Sequence, residues 1–167
     1  MEICLVPLYL NGPKEDEMAA TYYDISEEEM NTFLTEKGFK QVALPNTREI
    51  VYGKRVDKDG FQLTLRVYTG IIKGHGSRSV GKDAIRVNLF NRTSSGNVNK
   101  VGGSKRVHRV QGWANNLQKR LDDWLNYSFT VCECGNLMIP RKSKTGKFLG
   151  CSNYPNCKRT MPLRNKG

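Results

Sequence analysis

Two close pairs of cysteines near the C-terminus have the type and spacing of a metal site. Cys132-Glu133-Cys134 forms one pair, and after sixteen intervening residues Cys151 and Cys157 form the other. Four thiolates held on two tight turns are the donor set of a closed tetrahedral structural zinc. So short a segment buries too little apolar surface to order itself, so one structural Zn²⁺ is expected to supply its folding free energy. The fifth cysteine, Cys4, stands apart and reads as a small buried hydrophobe. Clustered cysteines fit ligation in a reducing compartment better than a disulfide framework.

Between and beside the cysteines, Lys and Arg interleave with Phe148 and Tyr154. Cations meet phosphates and ring faces stack on bases, the combination that grips single strands with little sequence preference. The alternative for both rings is packing inside the small ribbon. The run Cys134-Gly135, then Gly146-Lys147-Phe148-Leu149-Gly150-Cys151-Ser152-Asn153-Tyr154-Pro155-Asn156-Cys157, resembles the C-terminal zinc-ribbon repeat of bacterial type I DNA topoisomerases over about residues 131–162. The resemblance implies binding of single-stranded DNA by Arg141, Lys142, Lys144, Lys147, Phe148, Tyr154, Lys158 and Arg159. The first pair here is Cys-x-Cys where the family has Cys-x-x-Cys, so a tighter first turn is expected. Topoisomerase catalysis does not follow, because that family needs a nucleophilic tyrosine within a large multi-domain toroid.

The charge distribution carries the same reading upstream. The chain of 167 residues has a formal charge of +11, attractive to polyanions. Residues 1–46 contribute −6, residues 47–131 +10 and residues 132–167 +7. The acidic N-terminal part is expected to face away from nucleic acid or to contact a protein.

The elements that must position these groups follow from periodicity. Residues 3–10 read as an apolar edge strand containing Pro7. Ser26 with Glu29 forms a capping box, predicting a helix to about Lys37 that stops at Gly38. Three β-rich runs, 47–56, 61–72 and 84–91, follow, the first two joined through Asp57-Lys58-Asp59-Gly60 as a hairpin. Alternation in the second and third predicts one apolar and one polar, partly basic face. Residues 92–105 read as a flexible loop, and spacing of Val110, Trp113, Leu117, Leu121 and Trp124 predicts a helix from about Val107 to Tyr127, with both tryptophans in the core. The fold class is α+β: a small antiparallel sheet with two helices on one face in a basic nucleic-acid-binding domain, 1–130, followed by a four-cysteine ribbon, 131–167.

In the first domain the residues expected to contact nucleic acid are Lys73, His75, Arg78, Lys82, Arg86, Lys105, Arg106 and Arg109. Gly76 to Lys82 has P-loop spacing, but Asp83 stands where a Ser or Thr hydroxyl is required and a strand follows, so nucleotide hydrolysis is not expected. No catalytic residues are assigned. A metal-dependent nuclease or other DNA-processing enzyme is the rival, resting on Glu49 meeting Asp83 across the sheet. A further alternative is an adaptor that recruits a replication or repair protein to DNA through the acidic N-terminal region. No run of about 18 apolar residues is present, so no membrane partner is expected. Met1–Leu10 has Glu2 in place of a positive flank, arguing against a signal peptide. The expectation is a cytoplasmic, non-enzymatic protein of a bacterium or phage-infected cell that binds single-stranded DNA.

Overall fold

The computed structural model describes residues 22–74 and 84–163. The strand expected at 3–10 and Cys4 lie outside the described residues. Helix α1, Glu27–Glu36, begins as its sequence dictates: the Ser26 hydroxyl accepts from the Glu29 amide at 3.1 Å, and the Glu29 carboxylate accepts from the Ser26 amide at 2.9 Å. It ends in a Schellman arrangement, with Gly38 at φ +86° and the amides of Phe39 and Gly38 donating to Leu34 and Thr35 carbonyls.

The chain then builds one antiparallel sheet from β1 (Lys40–Val42), β2 (Glu49–Lys58), β3 (Phe61–Ile72), β4 (Ala84–Arg92), β5 (Val98–Lys100) and β6 (Lys105–His108), in the order β1-β2-β3-β4-β5, with β6 also paired to β4. Lys58 pairs with Phe61, leaving Asp59 and Gly60, at φ 53° and 82°, as a two-residue hairpin turn. Helix α2 is Trp113–Leu125.

Two expectations need correction. Residues 92–105 are not a featureless loop: β5 pairs with Phe90–Arg92, and the turn before it is closed by hydrogen bonds between Thr93 and Asn97. The second helix does not begin at 107, because residues 105–108 form β6 against Ala84–Val87 and the helix starts after Gly112, at φ +88°. Val107 is buried between exposed Arg106 and His108, a two-residue period too brief to show against the helical spacing that follows.

Both helices cover one face of the sheet. Met30 and Leu34 of α1, Leu117, Leu121 and Trp124 of α2, and Leu65, Val67, Ile85 and Val87 of the sheet share one apolar cluster. Phe33 and Trp113 join the helices with ring centroids 5.4 Å apart, and the Trp124 indole donates to the Val87 carbonyl at 3.1 Å. A second sheet, ordered β10-β9-β8-β7, comprises β7 (Thr130–Val131), β8 (Leu137–Ser143), β9 (Gly146–Cys151) and β10 (Thr160–Pro162). Leu137 and Ile139 of β8 are buried in the same cluster as both tryptophans, so the ribbon is packed onto the body. Polar contacts add to this seat: the Asn99 amide donates to the Ser152 carbonyl at 2.7 Å, and the Ser95 hydroxyl to Asn153 Oδ1 at 2.5 Å.

Candidate metal centre and nucleic-acid interface

The four predicted ligands converge. The Sγ atoms of Cys132, Cys134, Cys151 and Cys157 all lie within 4.8 Å of one another. Cys132 and Cys157 are 3.7 Å apart and Cys134 and Cys151 3.4 Å. A tetrahedron with zinc–sulfur arms near 2.3 Å has edges of about 3.8 Å, so an all-thiolate donor set at this spacing fits Zn²⁺. The Cys-x-Cys turn closes because Gly135, at φ +91°, folds the chain back: its amide donates to the Cys132 carbonyl, and the Cys132 amide to the Asn136 carbonyl, both at 2.8 Å. The second pair is held by the Asn153 amide donating to Cys151 Sγ at 3.4 Å and the Cys157 amide to the Asn153 carbonyl at 3.2 Å.

The thiols differ in acidity. Burial pushes Cys151 up to about 12 and also raises Cys132. Asn136, first through its side-chain amide at 3.5 Å, brings Cys134 down to about 6. Zinc binding must therefore expel protons from the buried pair. Asn136 itself is buried, and its Oδ1 accepts from the Ser94 amide at 3.2 Å, tying the metal turn to the β4–β5 turn. No motif marked this residue; an amide that donates to sulfur is recognisable only in three dimensions.

The other ribbon residues separate by strand alternation. Arg141 pairs with Phe148, and Lys142 with Lys147, so these two pairs occupy opposite faces of the β8–β9 hairpin, with Lys144 in the turn. On the Arg141 side a cavity of about 250 Å³ is lined by Arg141, Phe148, Gly150, Tyr154, Lys158 and Arg159. Gly150 forms its floor, where a Cβ would lie 2.8 Å from Arg141 Cδ and 3.3 Å from the Phe148 ring. The Arg141 guanidinium sits 5.8 Å from the centre of the Tyr154 ring, which is 56% exposed. Arg159 pairs with Glu133 at 2.7 Å. Lys142 and Lys147 stand directly opposite each other and exposed, a like-charge pair that an anion relieves.

Of the residues expected in the first domain, the described ones do not form one cluster, although Arg86 and Arg106 face each other across β4 and β6. His75, Arg78 and Lys82 lie outside the described residues, as does Asp83. Lys73 is exposed. Arg86 is bound by the Glu49 carboxylate, its side chain 16% exposed. Glu49 also accepts from the Gly70 amide at 2.8 Å. Lys105 points to the helix side, 4.6 Å over Trp124, while Arg106 is exposed on the opposite face. Arg109 needs correction as a surface contact: it is 2% exposed and its guanidinium donates to the Thr69 carbonyl inside the body.

Residues 131–166 match the family model described as topoisomerase DNA binding C4 zinc finger. Among curated proteins, the DNA topoisomerase 1 of Archaeoglobus fulgidus is 56% identical over 36 residues, 21% of this chain and 5% of the relative. That of Methanocaldococcus jannaschii is 50% identical over 37 residues, 22% of this chain and 5% of the relative. The chain thus spans only a small part of the relatives it matches, and no solved structure matches it. The thiol geometry and these matches agree that the C-terminal segment 131–166 is a topoisomerase-type zinc ribbon with a four-cysteine metal site.

Proposed function

We propose that this chain binds single-stranded nucleic acid, preferring DNA and showing little sequence preference, and that it acts without catalysis inside the cell. The observation that carries the reading is the ribbon cavity, where Phe148 and Tyr154 stand with Arg141, Lys158 and Arg159 around Gly150. Ring faces accept any base, and the cations follow the phosphates. The preference for DNA draws support from the relatives' being named DNA topoisomerases. The catalytic activity of those relatives is not carried over, since the match covers 5% of their length. The division into a body, 1–130, and a ribbon, 131–167, is part of the proposal, with the body extending the cationic surface. Glu49, the carboxylate on which a nuclease reading rests, is engaged by Arg86 and Gly70, which disfavours that rival.

The adaptor reading draws on a groove of about 440 Å³ along α1, where Phe33 and Trp113 lie among Glu28, Glu29 and Glu36. Such a groove suits a partner segment with basic and apolar side chains, joined to nucleic acid through the opposite side of the molecule.

Titration of labelled oligothymidylate against the zinc-loaded protein tests the main reading. The expected affinity falls with rising salt, with a log–log slope of about −0.7 per phosphate neutralised on a single strand. Absent binding, or binding indifferent to salt, refutes it.

A further inference from the structure

The sheet face turned away from the helices is a second cationic surface, built without the metal. Strand register sets its members. Arg55 lies opposite Thr64, Thr64 opposite Phe90 and Phe90 opposite Lys100; Arg66 lies opposite Asn88, and Tyr68 opposite Arg86, which in turn faces Arg106. Directly paired residues share a face, so two half-exposed rings stand among the cations. The Arg66 guanidinium is 4.5 Å from the centre of Phe90, and that of Arg86 5.4 Å from the centre of Tyr68. Arg55, Arg66, Arg92, Lys100 and Arg106 form no ion pair with a described residue. The acids on this face are Asp57 and, at the end of β2, Glu49, which is committed to Arg86.

Two further observations point to a ligand. Asn88 is 8% exposed, yet its Oδ1 has no hydrogen-bond partner, and Arg86 Nε beside it has none either. Buried polar atoms are normally paired, and leaving one unpaired is costly. At one end of the face, Arg55, Asp57, Gln62, Leu63, Thr64 and Arg92 line a polar pocket of about 170 Å³, large enough for a phosphate held by the two arginines against the single carboxylate.

Tyr68 and Phe90 are one strand apart and four residues apart in register, a separation of about 14 Å, so they engage separate bases rather than sandwich one. We infer that the helix-free face is a second single-strand platform. Bases stack on Phe90 and Tyr68, the Asn88 carboxamide meets a base edge between them, and a backbone phosphate sits between Arg55 and Arg92. This rests on the single-strand reading above but places binding energy on the body, where the ribbon resemblance has no reach.

The test compares three full-length, zinc-loaded proteins with an oligothymidylate of roughly fifteen nucleotides: wild type, Tyr68→Ala with Phe90→Ala, and Phe148→Ala with Tyr154→Ala. Thermal melts confirm folding. The sheet double variant is expected to bind about tenfold more weakly or worse, and ultraviolet crosslinking of the wild type is expected to mark peptides from 61–72 and 84–92. If the sheet variant binds as wild type does while the ribbon variant is weakened, the platform is overturned and the single-strand reading stands. If wild type binds no oligonucleotide, both fall. Should the ring variant fail to fold, Arg55→Gln with Arg92→Gln replaces it: its salt slope is expected to be shallower by about 0.7 for one lost phosphate contact, and an unchanged slope overturns the platform.

Discussion

In the ribbon, four thiols meet within 4.8 Å beside a buried apolar set little larger than Met138, with Leu149 partly covered. In the body, Ile25, Met30, Leu65, Val67, Leu117, Trp124 and their neighbours form a continuous core between sheet and helices. Both regions nonetheless present rings among cations: Phe148 and Tyr154 beside Arg141 in one, Phe90 and Tyr68 beside Arg66 and Arg86 in the other. The comparison teaches that a surface of rings set among cations does not depend on what orders the scaffold beneath it. It also shows unequal independence, because the ribbon places Leu137 and Ile139 in the body's core.

Breaking the metal site should give the largest effect. Structural zinc in ribbon-sized modules contributes apparent binding free energies on the order of 10–16 kcal/mol, comparable with the whole stability of an ordinary domain. Cys151→Ser is expected to lower zinc well below one per chain and to abolish hydrogen-exchange protection across β8 and β9. Protection in β2 and β3 should be weakened but not abolished, since their ladder pairs within the body while the core they cover loses Leu137 and Ile139. One zinc per chain retained in this variant, measured by atomic emission, would show that Cys151 is not a ligand. Loss of protection in both sheets together would erase the distinction between the two scaffolds.

Local chemistry was legible in the sequence, and long-range placement was not. The Ser26–Glu29 box, the Asp59-Gly60 turn and the cysteine pairs are each decided within a few residues, and each is present in the structure. Strands β5 and β6 escaped because three or four residues hold barely one period of alternation. Arg109 was read as a surface cation because charged side chains are usually outside; its partner, the Thr69 carbonyl, lies forty residues away in sequence. Asn136 carries no motif at all. The division of Arg141 and Phe148 from Lys142 and Lys147 does follow from alternation, once β8 and β9 are recognised as paired strands.

A change within the ribbon that bears on the body sharpens the comparison. Leu137 has no measurable exposure and packs in the body's cluster although it follows the first cysteine pair. Leu137→Ala removes buried methyl groups and leaves a cavity, at about 2–5 kcal/mol. The melting midpoint of the body is expected to fall accordingly while the zinc content stays at one per chain. An unchanged midpoint would mean that the ribbon rests on the body without contributing to its core.

The smallest effect belongs to the body alone and turns on Glu29. Hydrogen bonds from the Ser26 amide, then from the Tyr23 hydroxyl at 2.6 Å, hold its carboxyl below the ordinary glutamate value. A carboxyl whose folded pKa is depressed contributes stability that is present above the unfolded value and is lost as pH falls through the folded one. At neutral pH, Glu29→Gln should therefore lower stability, by less than about 1 kcal/mol for a solvent-screened capping group. Below the folded pKa, where wild-type Glu29 is protonated, the two proteins should converge. Chemical denaturation at pH 7 and at successively lower pH measures the difference, and a gap that widened as the pH fell would refute the charged cap. Zinc leaves its thiolates in acid as those sulfurs protonate, so the unfolding is followed by Trp113 and Trp124 fluorescence. Both indoles lie in the body's core, where the signal reports the unfolding of the body rather than the release of the metal.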